Sequence, residues 1–205
     1  MSTPLVVPFN QRLRIGVLRL AFGIVLPLTV FAETAWRDPE WLCETLEVVG
    51  MALVVAGVLG RLWAILYIGG RKNAQVMQDG PYSLCRHPLY LFSTLGLVGF
   101  GLMLGSVVLT AIMAGLHLMV VNATAQREEA YLHAAFGPAY AAYAARVPRF
   151  WPRFANFRSD SEITVRVATL RSNLRDALVF LLLIPLAEFL EYLHDLAIIP
   201  TFSIW

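Results

Sequence analysis

The chain has 205 residues, of which 58% are hydrophobic and only 15% charged, with a formal net charge of +2 and a mean hydropathy of +0.65. A water-soluble domain of this length carries nearer a quarter charged residues, because its surface must be solvated. The composition therefore excludes an ordinary soluble globule, and lipid must supply part of the solvent.

In chain order, the start 1–16 (MSTPLVVPFNQRLRIG) places its basic residues after the first apolar cluster, and no small-residue cleavage site follows a short apolar core. It reads as a retained span and not as a cleaved leader. A bilayer core of roughly 30 Å needs about 20 apolar residues in helix. Ile15 to Phe31 is the first candidate span, and Leu46 to Ile68 is the second, clean except for Arg61. Pro88 to Val121 is too long for one span, and the cluster Gly99, Gly101, Gly105 and Ser106 predicts a tight helical hairpin. One arm would run from Pro88 to Leu104 and the other would return from Ser106 to Thr124. A fifth candidate, Leu174 to Ile199, is interrupted by Pro185 and by Glu188, Glu191 and Asp195. Those three acids share one helical face, which is either solvated beyond the membrane or turned toward another subunit, Arg19 or Arg61. The expected fold is all-α: a polytopic membrane bundle of about five helices. Its divisions are two N-terminal spans (1–70), a core (71–154), and a C-terminal linker with the last span (155–205).

Charge placement orients this bundle, since cytoplasmic flanks are rich in Arg and Lys. With the N-terminus cytoplasmic, that side receives Arg12, Arg14, Arg71, Lys72, Arg86, Arg127 and the arginines from Arg146 to Arg175. The other side receives only Arg37, beside Glu33, Asp38, Glu40, Glu44 and Glu47. The two cytoplasmic segments, Gly69 to Arg86 and Ala125 to Asn173, then hold most of the polar chemistry. Ala125 to Ala145 reads as a helix that continues out of the fourth span or lies at the interface, broken at Val147-Pro148. Cys43 and Cys85 fall on opposite sides, which argues against a disulfide. The four histidines are scattered with no paired cysteines, so no metal site is expected, and neither is a nucleic-acid partner.

Two constellations carry chemistry. In Gly80-Pro81-Tyr82-Ser83-Leu84-Cys85-Arg86-His87-Pro88-Leu89-Tyr90, Pro88 suits the first position of a helix. The amides that follow, with Arg86, form a site suited to a carboxylate or phosphate, and His87 and Tyr90 can share one face. The bland alternative is a helix start whose Arg86 snorkels to lipid phosphate. The second constellation is Glu128-Glu129, then Phe136-Gly137-Pro138, Tyr140, Tyr143 and Arg146-Val147-Pro148. Taken alone, the two glutamates read as a solvated charge pair near Arg127. Tyr140, Tyr143 and the arginines at 146, 149 and 153 read more simply as an interfacial belt.

Taken together, GPYxxxRHPxY before an apolar hairpin and EExxLxxxFGxxYxxYxxRVPRxxP after it resemble the signature of the isoprenylcysteine carboxyl methyltransferases and the related phospholipid N-methyltransferases. The matching stretch runs from about Asn73 to Pro152. The resemblance implies an S-adenosylmethionine cofactor in a cytoplasm-facing pocket. Gln75, Val76, Met77, Tyr82, His87, Pro88, Leu89, Tyr90 and Glu128 would line it, and His87, Arg86 and Glu129 would take part in catalysis. Arg86 would pair with Glu129 or with the methionyl carboxylate. The acceptor implied is a lipid or other lipophilic small molecule carrying a carboxylate, thiol or amine, and oligomers could form through the C-terminal helix. The prenylcysteine enzymes carry an arginine four residues before the first glutamate, whereas here that position is Thr124. Two other classes stay open: an NADPH-dependent sterol-type reductase and a non-catalytic membrane subunit.

Overall fold

The computed structural model describes residues 30–34, 40–68, 75–163, 181–196 and 202–204, with scattered positions between 163 and 181 and at 27. Most of the span expected at Ile15 to Phe31, the basic residues before it, Arg71 and Lys72, and most of the stretch from Leu174 to Leu182 lie outside the described residues.

Six helices are laid out among the described residues. α1 (Glu40–Ile68) begins six residues before the expected Leu46, so Cys43 lies in a helix and not in a loop. A single turn, α2 (Pro81–Leu84), precedes α3 (Pro88–Met103), and α4 (Val107–Phe136) returns antiparallel to α3. The hairpin expected from the glycines is present. Leu104 closes α3, Gly105 turns the chain at φ 69°, and the Ser106 hydroxyl caps α4 by accepting from the Leu109 amide at 3.2 Å. α5 (Pro138–Arg146) follows a break at Gly137, which the sequence reading did not separate from α4. α6 (Leu183–Asp195) carries Pro185 in its first turn, where no helical hydrogen bond is lost.

Close helix contact explains the small residues. A Cβ on Gly50 would sit 2.6 Å from the Gly99 carbonyl oxygen, so α1 and α3 pack backbone against backbone. Val54, Phe100, Met103, Leu109, Met113 and Ala187 fill the junction of α1, α3, α4 and α6. Arg61, within the apolar run of α1, donates to the Ser93 hydroxyl of α3. Glu188 of α6 reaches Glu47 of α1, so the acidic face of α6 lies against a carboxylate of its own chain. Arg19, one of the counter-ions considered for that face, lies outside the described residues.

α1 and α4 are both long and apolar enough to cross a bilayer, and α3 is a shorter apolar helix. Their outward faces are bare hydrocarbon: Val48, Leu59 and Met119 are 67, 61 and 63% exposed. Such faces require lipid, and this is a membrane protein. At 1.5 Å per residue α4 is about 45 Å long, roughly 15 Å more than the hydrocarbon core. Its last turns, which carry Glu128 and Glu129, project past the apolar stretch that the sequence ended at Thr124. Apart from the helices, the described residues hold a parallel ladder of three residues per strand, β1 (Ala32–Thr34) on β2 (Phe202–Ile204), with Glu33 opposite Ser203. An all-α reading did not foresee it.

Candidate active site

The site forms where α1 ends, α3 begins and α4 projects. Gly80 holds φ 58°, and a Cβ there would enter the Tyr67 ring, so only glycine turns the chain into Pro81 at the start of α2. Cys85 is extended, His87 caps α3 and Pro88 opens it. The segment is buried except for the partly exposed Arg86, and its backbone is paired with a strap at 147–159. Arg86 and His87 donate their amides to the carbonyls of Pro148 and Arg149 at 2.9 and 3.2 Å. Gly80 donates to Arg158 and Arg153 donates to Leu84, at 2.8 and 3.0 Å. Tyr143 of α5 adds a hydroxyl bond to the Tyr82 carbonyl at 2.8 Å. These bonds satisfy polar backbone that would otherwise be stranded in the interior.

Between these elements lies a cleft of about 120 Å³. Gln75, Val76 and Met77 form one side, and Tyr82, Arg86, His87, Leu89 and Tyr90 form another. Glu128, Tyr131 and Leu132 come from α4, Tyr140 and Tyr143 from α5, and Ile68 from the end of α1. The His87 and Tyr90 rings stack with centroids 5.4 Å apart, and the Tyr90 hydroxyl donates to Glu128 at 3.0 Å. The Tyr82 hydroxyl is buried on the cleft wall with no hydrogen-bond partner among the described residues, and so is the Arg86 Nε. A native interior rarely leaves such groups unpaired without a ligand to take them.

Behind the cleft, Glu129 organises the charge. Arg149 grips it with two bonds, Nε to Oε1 at 3.0 Å and Nη2 to Oε2 at 2.7 Å. Arg86 approaches at 3.2 Å and His87 Nε2 at 3.1 Å. The Arg149 fork also reaches Asn122 at 3.2 Å. Burial pushes the His87 pKa down, against the upward pull of the Glu129 hydrogen bond, so the ring is held toward its neutral form. A neutral imidazole facing Glu129 must donate from Nε2. Its Nδ1 lone pair is then directed toward Glu128, 3.7 Å away. Burial also raises the Tyr82 and Tyr143 hydroxyls, which stay protonated donors.

Of the residues expected to hold a cofactor, Gln75, Val76, Met77, Tyr82, His87, Leu89, Tyr90 and Glu128 converge on one cleft. Pro88 does not: its ring is buried on the opposite side of α3, against a second groove. Glu129 also lies off the cleft wall, with both oxygens occupied by Arg149, and is suited to orienting His87 and Arg86. The reading of Tyr140, Tyr143 and Arg149 as an interfacial belt is corrected. Tyr140 and Tyr143 are 1 and 3% exposed, and Arg149 is the clamp on Glu129. Sequence reasoning also passed over Tyr131 and Leu132, although their offsets of three and four from Glu128 put them on its helical face. Ile68 carried no signal.

Comparison with known proteins fits this arrangement. A family model described as phospholipid methyltransferase matches residues 48–139, which spans α1, the cleft-forming segment, the hairpin and α4. The cobalt-zinc-cadmium resistance protein CzcN of Cupriavidus metallidurans is 39% identical, over 93% of this chain and 88% of its own. The nickel-cobalt-cadmium resistance protein NccN of Alcaligenes xylosoxydans xylosoxydans is 38% identical, over 95% and 90%. No solved structure matches. The matched residues contain Glu128 and the start of α3 at His87, which line the cleft, and the chain belongs to the phospholipid methyltransferase family.

Proposed function

We propose that this protein is an S-adenosylmethionine-dependent methyltransferase that acts at the membrane on a lipophilic acceptor. The observation that carries the reading is the convergence of Gln75 to Met77, Tyr82, Leu89, Tyr90 and Glu128 on one cleft containing an unpaired Tyr82 hydroxyl. The residues fit the cofactor. Val76, Met77, Leu89 and Leu132 offer apolar surface for an adenine. Glu128 can accept from ribose hydroxyls, and the unpaired Arg86 Nε can donate to a carboxylate. Five tyrosine rings line the cleft and favour a cation at their faces. When bound, the cofactor supplies an electrophilic methyl group on a sulfonium.

The chain's own part is chiefly alignment and exclusion of water, which together supply several kcal/mol of barrier reduction. A carboxylate acceptor is ionised near neutral pH and needs no base. For an amine or thiol, the neutral His87, oriented by Glu129, can take the proton at Nδ1. Arg86 and Arg149 balance Glu128 and Glu129, so a cationic methyl donor meets no net opposing charge from these groups. An anionic acceptor complements such a site best, because the charges cancel as the methyl moves. Thr124 stands where the prenylcysteine enzymes carry a substrate-binding arginine, which favours an acceptor other than prenylcysteine.

The proposed topology has five spans, with the N-terminus and the cleft cytoplasmic, as the arginine distribution supports. The relatives are named for resistance to cobalt, zinc, cadmium and nickel, and that setting is where the methylated product would be used. The test is calorimetry on the protein in mild detergent with S-adenosylmethionine, S-adenosylhomocysteine and NADPH, and with Glu128→Ala as the control. Micromolar adenosyl-ligand binding that the variant loses supports the proposal. Binding of NADPH alone moves the protein to the reductase class, and binding of neither leaves a membrane subunit.

A further inference from the structure

On the far side of the Pro81–Pro88 segment from the cleft lies a second groove of about 420 Å³, almost wholly apolar. Ala56, Leu59, Gly60 and Trp63 of α1 form one wall, and Leu91 and Phe92 of α3 form the other. Leu84 closes its inner end, with Phe154 of the strap beside it. The groove therefore runs about 10 Å along α1, from a face that must already touch lipid up to the strap. There the surface changes character. Trp151, Phe154 and Phe157 are 85, 75 and 53% exposed, and between them Arg153 extends an exposed side chain while its amide holds the Leu84 carbonyl. Trp63 joins the two regions, with its ring 6.1 Å from Phe157 and 6.4 Å from Phe92.

We propose that this groove binds one acyl chain of an anionic phospholipid whose phosphate is held at Arg153, and that occupancy steadies the strap. A greasy trough that is continuous with the lipid-facing sides of two membrane helices and topped by a cation among aromatic rings matches a lipid with a negative headgroup. A zwitterionic lipid would bring its own cation beside Arg153 together with its phosphate and so bind more weakly, and a soluble peptide would have to displace lipid from Leu59. The site is distinct from the cleft because Pro81, Leu84, Cys85 and Pro88 stand between them. Its consequence reaches the cleft through the strap, which hydrogen-bonds to Arg86 and His87 and delivers Arg149 to Glu129. The inference does not depend on the identity of the cofactor.

Native mass spectrometry of the full chain in detergent, titrated with phosphatidylglycerol and with phosphatidylcholine of the same chains, reads the site directly. The expected result is tighter phosphatidylglycerol binding, weakened about tenfold by Arg153→Glu, with uptake of both lipids reduced by Ala56→Trp. Bound phosphatidylglycerol should also slow hydrogen exchange at the amides of Arg153, Asn156 and Phe157. Equal binding of the two lipids, or an Arg153→Glu variant that binds like the wild type, overturns the headgroup assignment. Displacement of the lipid by S-adenosylhomocysteine would place it in the cleft and overturn the groove. Unchanged exchange would overturn the coupling. Arg153 is exposed, so its variant should fold, and the lipid is read by mass even where no adenosyl ligand binds.

Discussion

Replacing Glu129 by Gln is the sharpest test of the charge arrangement, because it preserves shape while removing the negative charge and one acceptor oxygen. The Glu129 side chain is 10% exposed, and its oxygens accept from Arg149 at 3.0 and 2.7 Å, with Arg86 at 3.2 Å and His87 at 3.1 Å. In the variant one oxygen becomes an NH2 that must face a guanidinium. Removing one partner of a buried ion pair costs about 3–5 kcal/mol. The Arg149 side chain is 34% exposed and can turn to water, which lowers the expectation to roughly 2–3 kcal/mol. Chemical unfolding in detergent should therefore show a loss of that size. A cycle with Arg149→Met should give a coupling energy of at least about 1.5 kcal/mol. Glu128→Gln provides the contrast: its side chain is 35% exposed and lines the cleft, so stability should change by less than about 0.5 kcal/mol. Adenosyl-ligand affinity, by contrast, should fall roughly tenfold or more in Glu128→Gln. A Glu129→Gln protein as stable as the wild type would refute the reasoning, as would a coupling energy near zero.

Three further outcomes follow from the same geometry. The His87 pKa is depressed in the folded protein, so below pH ~6.5 the unfolded chain takes up a proton that the folded chain refuses. Stability should fall with pH from there down to the folded pKa, by at most about 1.4 kcal/mol per unit, and His87→Gln should flatten that slope in denaturation curves. Tyr143→Phe removes the donor to the buried Tyr82 carbonyl and should cost about 1–3 kcal/mol by the same assay, with no change in its pH dependence. Burial pushes the Cys85 thiol up to about 12, so iodoacetamide near neutral pH should label it only on unfolding, as peptide mapping can show.

The helices were legible wherever one local rule governed them. Ser106 capping after Gly105 set the hairpin, Pro88 set the start of α3, and the apolar run of α1 set a span. The sequence left open whether the fourth span continued as one helix past Thr124, because hydropathy marks where a helix leaves lipid, not where it stops; nothing between Thr124 and Phe136 breaks a helix, and α4 runs on. The break that did occur, at Gly137 with φ 49°, was hidden inside the motif. β1 on β2 joins residues about 170 positions apart through three-residue strands, which leave no periodicity to read.

The site divides in the same way. His87, Tyr90 and Glu128 were readable through the family resemblance that GPYxxxRHPxY and EExxL carry, since spacing alone left a helix start and a solvated charge pair as the simpler readings. Arg149 was not, and the reason is physical. An arginine after a Val-Pro break, amid Arg146 and Arg153, has the composition of an interfacial belt, and only a tertiary contact distinguishes the three. Arg146 reaches Gln78, Arg149 reaches Glu129, and Arg153 faces outward. What separates them is the backbone of the strap. The Pro148 and Arg149 carbonyls accept the Arg86 and His87 amides, and this register turns the Arg149 side chain inward while its neighbours stay at the surface. A charge on α4 therefore receives its counter-ion from a segment that hydropathy and helical period describe only as a loop. The buried carboxylate is itself the signal that such a counter-ion exists, since an unpaired one in that position would not remain charged.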